Sequence, residues 1–204
     1  MSGETLLSAR GVTRRYGART ALHVTNLDVH GGETIALTGP NGAGKSTLLS
    51  ILAGALVPSG GTVARASEVL VGWAPQRPAH YGKLSARENL ELFARLGRVR
   101  GAEGAVEVLL AEFGLPGDRQ PSATLSVGMR QRLNVAIALL GEPRVLLLDE
   151  PSASLDPEQR RRLWELASGL RAHGGALVFA TQHFEELERA DRVIRLEEGR
   201  VTAA

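Results

Sequence analysis

The chain has 204 residues, enough for one domain with a full core, or a core plus a small lobe. It has no cysteine, which excludes disulfides, thiolate zinc sites and iron–sulfur clusters and suits a cytosolic address. A net charge of +2 gives no electrostatic footprint for nucleic acid, so none is expected as a partner, and Arg130-Gln131-Arg132 and Arg160-Arg161-Arg162 read as solvated helix faces. Lysine is written only at Lys45 and Lys83 among 24 basic residues. Met1 to Glu4 is polar with no apolar run behind it, which is no secretory signal. No stretch approaches the roughly 18–20 apolar residues of a membrane span. Work at a membrane would need another subunit to hold the chain there.

In chain order, Leu6–Arg10, Ala21–Val29 and Thr34–Thr38 read as strands, with Gly31-Gly32 as a turn. A glycine-rich loop follows, then a helix from about Lys45 to Leu56. Thr62–Arg65 and Val69–Trp73 read as further strands. Ser85-Ala86-Arg87-Glu88 fits a capping box with Ser85 as N-cap. Leu92, Leu96 and Val99 continue at helical spacing, and Val106, Leu109, Leu110 and Phe113 give a second helix ended by Gly114. A third starts near Ser126, burying Met129, Leu133, Ala136, Ile137 and Leu140 before Gly141. Val145–Asp149 reads as a strand. Asp156-Pro157 is an N-cap followed by proline at the first helical position, opening a helix to about Arg171. Strand Leu177–Thr181, a short helix and strand Val193–Leu196 complete the chain. Alternating strands and helices predict an α/β fold with a mainly parallel sheet covered on both faces. A helical lobe over about 79–139 is inserted into a core of about 1–78 and 140–204.

Two segments carry chemistry. Gly39-Pro40-Asn41-Gly42-Ala43-Gly44-Lys45-Ser46-Thr47 matches G-x-x-x-x-G-K-[ST] between a predicted strand and a predicted helix. Glycines let the backbone curl so that N–H groups converge on phosphates, and the helix N-terminus adds a favourable dipole. Lys45 would reach the β/γ-phosphates of ATP, and the Ser46 hydroxyl could ligate Mg2+. Val145–Leu148 then ends in Asp149-Glu150-Pro151. Two acids closing an apolar strand suit Mg2+ coordination by Asp149 and water activation by Glu150 as general base.

About twenty residues before Asp149, Leu125-Ser126-Val127-Gly128-Met129 resembles the signature sequence of the ABC ATPase family. The resemblance implies the P-loop NTPase three-layer core with an N-terminal antiparallel β portion. It also implies that Ser126 and Gly128 bind the γ-phosphate of an ATP held by a second cassette, identical or not, which makes that cassette a partner. Tyr16, in Arg15-Tyr16-Gly17, resembles the residue that stacks on adenine. Gln76, in Ala74-Pro75-Gln76, resembles the glutamine that senses Mg2+ and the attacking water while touching the transmembrane subunit. Ser154-Leu155-Asp156 resembles the loop that crosses the dimer interface.

The sequence departs from that pattern twice. Val127 stands where a glycine is usual, so this position must have ordinary backbone geometry. The histidine that usually contacts the γ-phosphate lies three residues before the first of two paired glutamates. In Thr181-Gln182-His183-Phe184-Glu185-Glu186 that count selects Gln182, while a gap of one residue would select His183. The count favours Gln182, which can hydrogen-bond a phosphate but carries no charge. The stretch Tyr81–Leu90, Met129 and the short segment after Val201 resemble bacterial exporter cassettes, among them the haem-exporter ATPase of cytochrome c biogenesis. The contrasting expectation is a soluble ABC ATPase that acts on DNA or ribosomes.

Overall fold

The computed structural model describes residues 3–153 and 155–203. Ser154 of the expected interface loop therefore lies outside the described residues.

Three strands form an antiparallel sheet in the order β2-β1-β4: β1 (Thr5–Tyr16), β2 (Arg19–His30) and β4 (Gly60–Arg65). β1 and β2 run further into polar sequence than the hydrophobic pattern predicts. Gly11, at φ 60, bulges β1 there, and its N–H donates to the Asn26 side chain at 2.7 Å. The second sheet has the order β5-β6-β7-β3-β8-β9. Its parallel members are β5 (Val71–Ala74), β6 (Val145–Asp149), β7 (Ala176–Ala180), β3 (Thr34–Thr38) and β8 (Arg192–Glu197). The edge strand β9 (Arg200–Ala203) is antiparallel and was not anticipated. Its signal is a two-residue turn, Glu198 at φ 48 and Gly199 at φ 78, in the I′ manner.

Continuous apolar strands are buried on both faces, and strand alternation divides their side chains between two cores. Ile35, Leu37, Val145, Leu147 and Val178 face helix α1 (Lys45–Leu52) and the inner face of the antiparallel sheet. Ala36, Leu146, Leu148, Leu177 and Phe179 face the other helices. These are α2 (Ala86–Leu96), α3 (Ala102–Glu112), α4 (Val127–Leu139) and α5 (Pro157–Ala172). The Trp164 ring on α5 meets Phe179 edge-on at 4.9 Å. A one-turn helix, α6 (Phe184–Leu187), connects β7 to β8. Among the described residues no helix is long and apolar enough to cross a membrane.

Several sequence expectations need correction. α1 stops at Leu52, not Leu56, because Gly54 takes φ 76 and the N–H groups of Ala55 and Leu56 turn back to the Ser50 carbonyl, each at 3.0 Å. α2 has the expected capping box, but it buries Ala86, Asn89, Leu90 and Ala94. Leu92 is half-buried and Leu96 is 67% exposed, since the small-residue face is the one that meets α3 and α4. In α4 the burial runs nearly all round, because the helix is enclosed between the sheet and the other helices. Gln131, Asn134, Val135 and Ala138 join Leu133 and Ala136, while Met129, Ile137 and Leu140 are half-buried. Arg130 and Arg132 are not a solvated face: they donate to the Leu125 and Phe113 carbonyls at 2.5 and 2.6 Å. On α5, by contrast, Arg161 and Arg162 make exposed i,i+4 pairs with Glu165 and Glu158.

His80 marks the join between the segment after β5 and α2. Its Nδ1 lies 2.9 Å from Ser122 Oγ, and its Nε2 is buried without a partner. Burial, and secondarily the charge of Arg130, hold the imidazole below its ordinary pKa of 6.5. The unfolded chain thus takes up a proton that the folded chain resists. The stability contribution is present above that value and lost as pH falls below it. The melting temperature should drop between about pH 7 and 5.5, and His80→Gln should flatten that drop in a calorimetric pH series.

Candidate functional site

The loop between β3 and α1 is shaped by backbone crowding. Gly39 sits at φ 139, and a Cβ there would lie 2.0 Å from the Leu196 carbonyl oxygen. Gly44, at φ 104, would place a Cβ 2.9 Å from the Ala21 carbonyl oxygen. The turn before β9 supports the loop from behind, with Gly199 N–H donating to the Ala43 carbonyl at 3.0 Å. α1 has no side-chain cap and no acid in its first turn, so its leading N–H groups are left for an external anion. Lys45 is 6% exposed and donates to the carbonyls of Gly39 at 2.7 Å and Pro40 at 3.2 Å. That keeps its charge folded over the loop.

Asn41 through Thr47, with Gln76 and Glu150, line a cavity of about 140 Å³. Larger hollows lie elsewhere, one of about 790 Å³ beside Trp73 and Phe93 and one of about 580 Å³ beside Leu163. The small cavity is the one at the uncapped N-terminus of α1, with Lys45 in its lining. It matches a phosphate chain rather than a whole nucleotide.

Asp149 ends β6 inside this site, 2% exposed. Burial pushes its carboxyl above the ordinary carboxylate range, and the neighbouring Glu150 adds to that rise. The Ser46 hydroxyl, the Lys45 charge and the Gln76 backbone N–H oppose it. Its Oδ1 is buried without a hydrogen-bond partner. An unpaired carboxylate oxygen beside a serine hydroxyl fits a cation. Among the described residues no three His, Asp or Glu side chains converge as a protein-only cage. So few oxygen ligands from protein suit an ion whose other ligands are phosphate and water.

Glu150 adopts φ 50, a left-handed conformation unusual for a glutamate, while its N–H continues the ladder to the Ala180 carbonyl at 3.0 Å. Its Oε1 accepts from Gln182 Nε2 at 3.1 Å, and the same Nε2 donates to Asn41 Oδ1 at 2.9 Å. Gln182 thus spans the end of β6 and the phosphate loop. His183 is exposed, and its backbone N–H donates to Thr181 Oγ1 at 3.0 Å as α6 begins.

The other sequence-selected residues stand apart from this cavity. Tyr16 ends β1, half exposed, with the Arg14 guanidinium 4.5 Å from its ring centroid. Ser126 caps α4, accepting from Met129 N–H at 3.2 Å, and Gly128 lies in the first turn. Val127 is helical, 58% exposed and free of positive φ, so it imposes no backbone strain. Asp156 caps α5, accepting from Gln159 N–H at 2.8 Å. Sequence reasoning missed Asn134 of α4, 2% exposed, whose side chain donates to the Pro75 carbonyl at 2.7 Å and so fixes the segment carrying Gln76. A polar residue inside an apolar helical stripe was its only signal. It also used Glu185 and Glu186 for counting alone, whereas Glu186 is buried.

The sequence pattern of the ABC transporter family matches residues 22–153. The daunorubicin resistance ATP-binding protein DrrA3 of Streptomyces coeruleorubidus is 36% identical over 214 residues, covering 98% of this chain and 68% of that protein. The Nod factor export ATP-binding protein I of Burkholderia orbicola is 38% identical over 208 residues, covering 95% and 68%. The probable multidrug ABC transporter ATP-binding protein YbhF of Escherichia coli is 35% identical and covers 96% of this chain, which spans only 36% of that relative. Among solved structures, the ATP-binding cassette MJ0796, a dimer in a post-hydrolysis state bound to ADP and Pi, superposes with TM-score 0.86 at 25% identity over 97% of both chains. An ATP binding subunit of an ABC transporter gives 0.88 at 31% identity over 98% of this chain and 89% of that one. The chain belongs to the ABC transporter family, as an ATP-binding and ATP-hydrolysing cassette.

Proposed function

We propose that this cassette drives export through a separate membrane-spanning subunit, and that residues 1–204 act as one nucleotide-binding domain. The observation that carries the catalytic part is the Gln182 bridge between Glu150 and Asn41, set beside the unpaired Asp149 oxygen. In this reading the triphosphate of ATP sits on the bare N–H groups of Gly42 to Thr47, and Lys45 exchanges the carbonyls of Gly39 and Pro40 for phosphate oxygens. Ser46, Asp149 and Gln76 would hold Mg2+, which supplies charge neutralisation at the phosphates. Glu150 takes a proton from water as that water attacks the γ-phosphorus and the bond to ADP breaks. Gln182 orients the Glu150 carboxylate and hydrogen-bonds the γ-phosphate.

Among the described residues, Tyr16, Ser126, Gly128 and Asp156 do not line the cavity. A second cassette arranged head to tail would bring its own α4 N-terminus to the γ-phosphate. The related MJ0796 cassette is a dimer, which supports this arrangement. For the membrane subunit, the favoured place is the roughly 790 Å³ groove lined by Val71, Trp73, Pro75, Ala79, Phe93 and Ile137. It adjoins Gln76, and Asn134 ties its floor to α4. Such docking would place the chain peripherally on the inner face of the cell membrane. Drug-resistance and Nod factor export relatives favour export of an organic small molecule. The haem-exporter resemblance is the narrower second reading, carried by Tyr81–Leu90 and Met129. Purification with native neighbours tests all of this: a membrane protein partner is expected, and ribosomes or DNA would overturn it.

Glu150→Gln should bind ATP normally and accumulate an ATP-bound dimer, seen by size-exclusion chromatography with light scattering. Unchanged turnover would remove Glu150 as the base. Gln182→Ala should cost about 1.5–3 kcal/mol, roughly 10- to 150-fold in turnover. His183→Ala should do much less, and the pH–rate profile should lack a histidine titration between about pH 6 and 8. The raised Asp149 pKa means that ionisation opposes folding: its favourable contribution is full below the ordinary value of 3.8 and is lost as pH rises through the folded value. Metal-free Asp149→Asn should therefore melt higher than the parent near pH 7, yet lose the extra stabilisation that Mg2+ adds with ATP. Both are read by calorimetry with and without Mg2+.

A further inference from the structure

Beyond the site itself lies a buried carboxylate that the mechanism above does not use. β6 and β7 run side by side to the pair Asp149 and Ala180, and then their exits diverge. Glu186, on α6, sits between those exits at 4% exposure. One carboxylate oxygen accepts from the Ser152 hydroxyl, and the other accepts from Thr181 Oγ1 at 2.5 Å. Thr181 Oγ1 accepts in turn from the His183 N–H. Ser152 is 3% exposed and Thr181 is fully buried. Among the described residues no cation forms a salt bridge with Glu186. An ionisable group so enclosed costs stability unless its oxygens are hydrogen-bonded, and well-packed apolar side chains would stabilise a fold at least as well. What apolar residues cannot supply is two directional contacts from a single rigid point.

The two contacts fall on telling positions. Ser152 is two residues past Glu150, and Thr181 immediately precedes Gln182. Glu150 is held at a positive φ, which persists only where surrounding contacts over-determine it. We infer that Glu186 is a positioning residue for ATP hydrolysis, clamping the turn that carries Glu150 to the strand exit that carries Gln182. The clamp keeps Gln182 Nε2 within 3.1 Å of the Glu150 carboxylate. The inference rests on the assignment of Glu150 and Gln182 given above.

The test measures steady-state ATP turnover of the full chain in its assembled transporter, with Mg-ATP affinity and melting temperature of the chain in parallel. Glu186→Ala should lower kcat about tenfold or more while the ATP Kd stays within about threefold. Glu186→Gln should recover most of kcat, because its amide oxygen still accepts from Thr181 and its NH2 can donate to Ser152. The losses from Glu186→Ala and Gln182→Ala should not multiply, because the two act in one unit. Thr181→Val and Ser152→Ala each delete one clamp contact and should give smaller kcat losses, which keeps the inference testable if Glu186→Ala misfolds. Parent-like kcat in all four clamp variants, fully multiplicative losses, or parallel loss of ATP binding and melting temperature would overturn it. Glu150→Gln and Gln182→Ala serve as the reference. If they too are silent, the site assignment itself fails; if only the clamp variants are silent, the clamp alone fails.

Discussion

A loop that offers its own N–H groups to a triphosphate must leave them unspent and uncovered, and the rest of this structure is arranged around that demand. The concave side has to stay bare, so the convex side has to be supported by backbone alone. Leu196, Ala21 and Gly199 bring their main chains against the loop, at distances that leave no room for a Cβ on Gly39 or Gly44. β9 is short and lies at a sheet edge, yet its turn supplies the Gly199 contact. The β8–β9 turn thus supports the glycine-rich loop from behind without lining the cavity. A side chain added at Gly39 would meet the Leu196 carbonyl rather than a flexible side-chain end, so relief would require moving a strand.

The second constraint is charge in a dry place. Asp149 and Glu150 are adjacent, nearly buried acids, with Lys45 as the nearest compensating cation. Such a cluster is unfavourable in the metal-free chain. The unpaired Asp149 oxygen and the left-handed Glu150 are both locally unfavourable. The strand ladder through β7 makes this tolerable: the Glu150 N–H stays bonded to the Ala180 carbonyl, so the strain is confined to one residue.

Much of this was legible because the signals were local. The phosphate loop, the acid pair, the Ser85 capping box and the Asp156-Pro157 helix start each fit within a few residues. Apolar strands announced the parallel sheet, although only alternation across both faces shows which core each residue joins. The failures came where tertiary packing decides. Leu92 and Leu96 carried a helical spacing that the fold leaves half-buried and exposed, because Ala86, Leu90 and Ala94 form the close-packing face. Asn134 and Glu186 read as ordinary polar residues, since the groups they hold are distant in the chain or on other strands. Polar stretches in β1 and β2 gave no strand signal because an antiparallel sheet needs no apolar pattern on its solvent face.

The uncharged bridge changes what the surroundings must provide. A histidine in the place of Gln182 could gain a proton and draw Glu150 to it by charge, so alignment would be partly electrostatic. An amide has only directional hydrogen bonds. One Nε2 serves both Asn41 and Glu150, at 2.9 and 3.1 Å, and neither contact tolerates a swing of the side chain. Alignment of the Glu150 carboxylate therefore depends on where the backbone of β7 releases the chain. That release point is set by Thr181, fully buried, whose hydroxyl receives the His183 N–H on one side and donates to Glu186 on the other. Replacing a chargeable group with a neutral one thus transfers the work of orientation from a pairwise attraction to the hydrogen-bonded frame behind it.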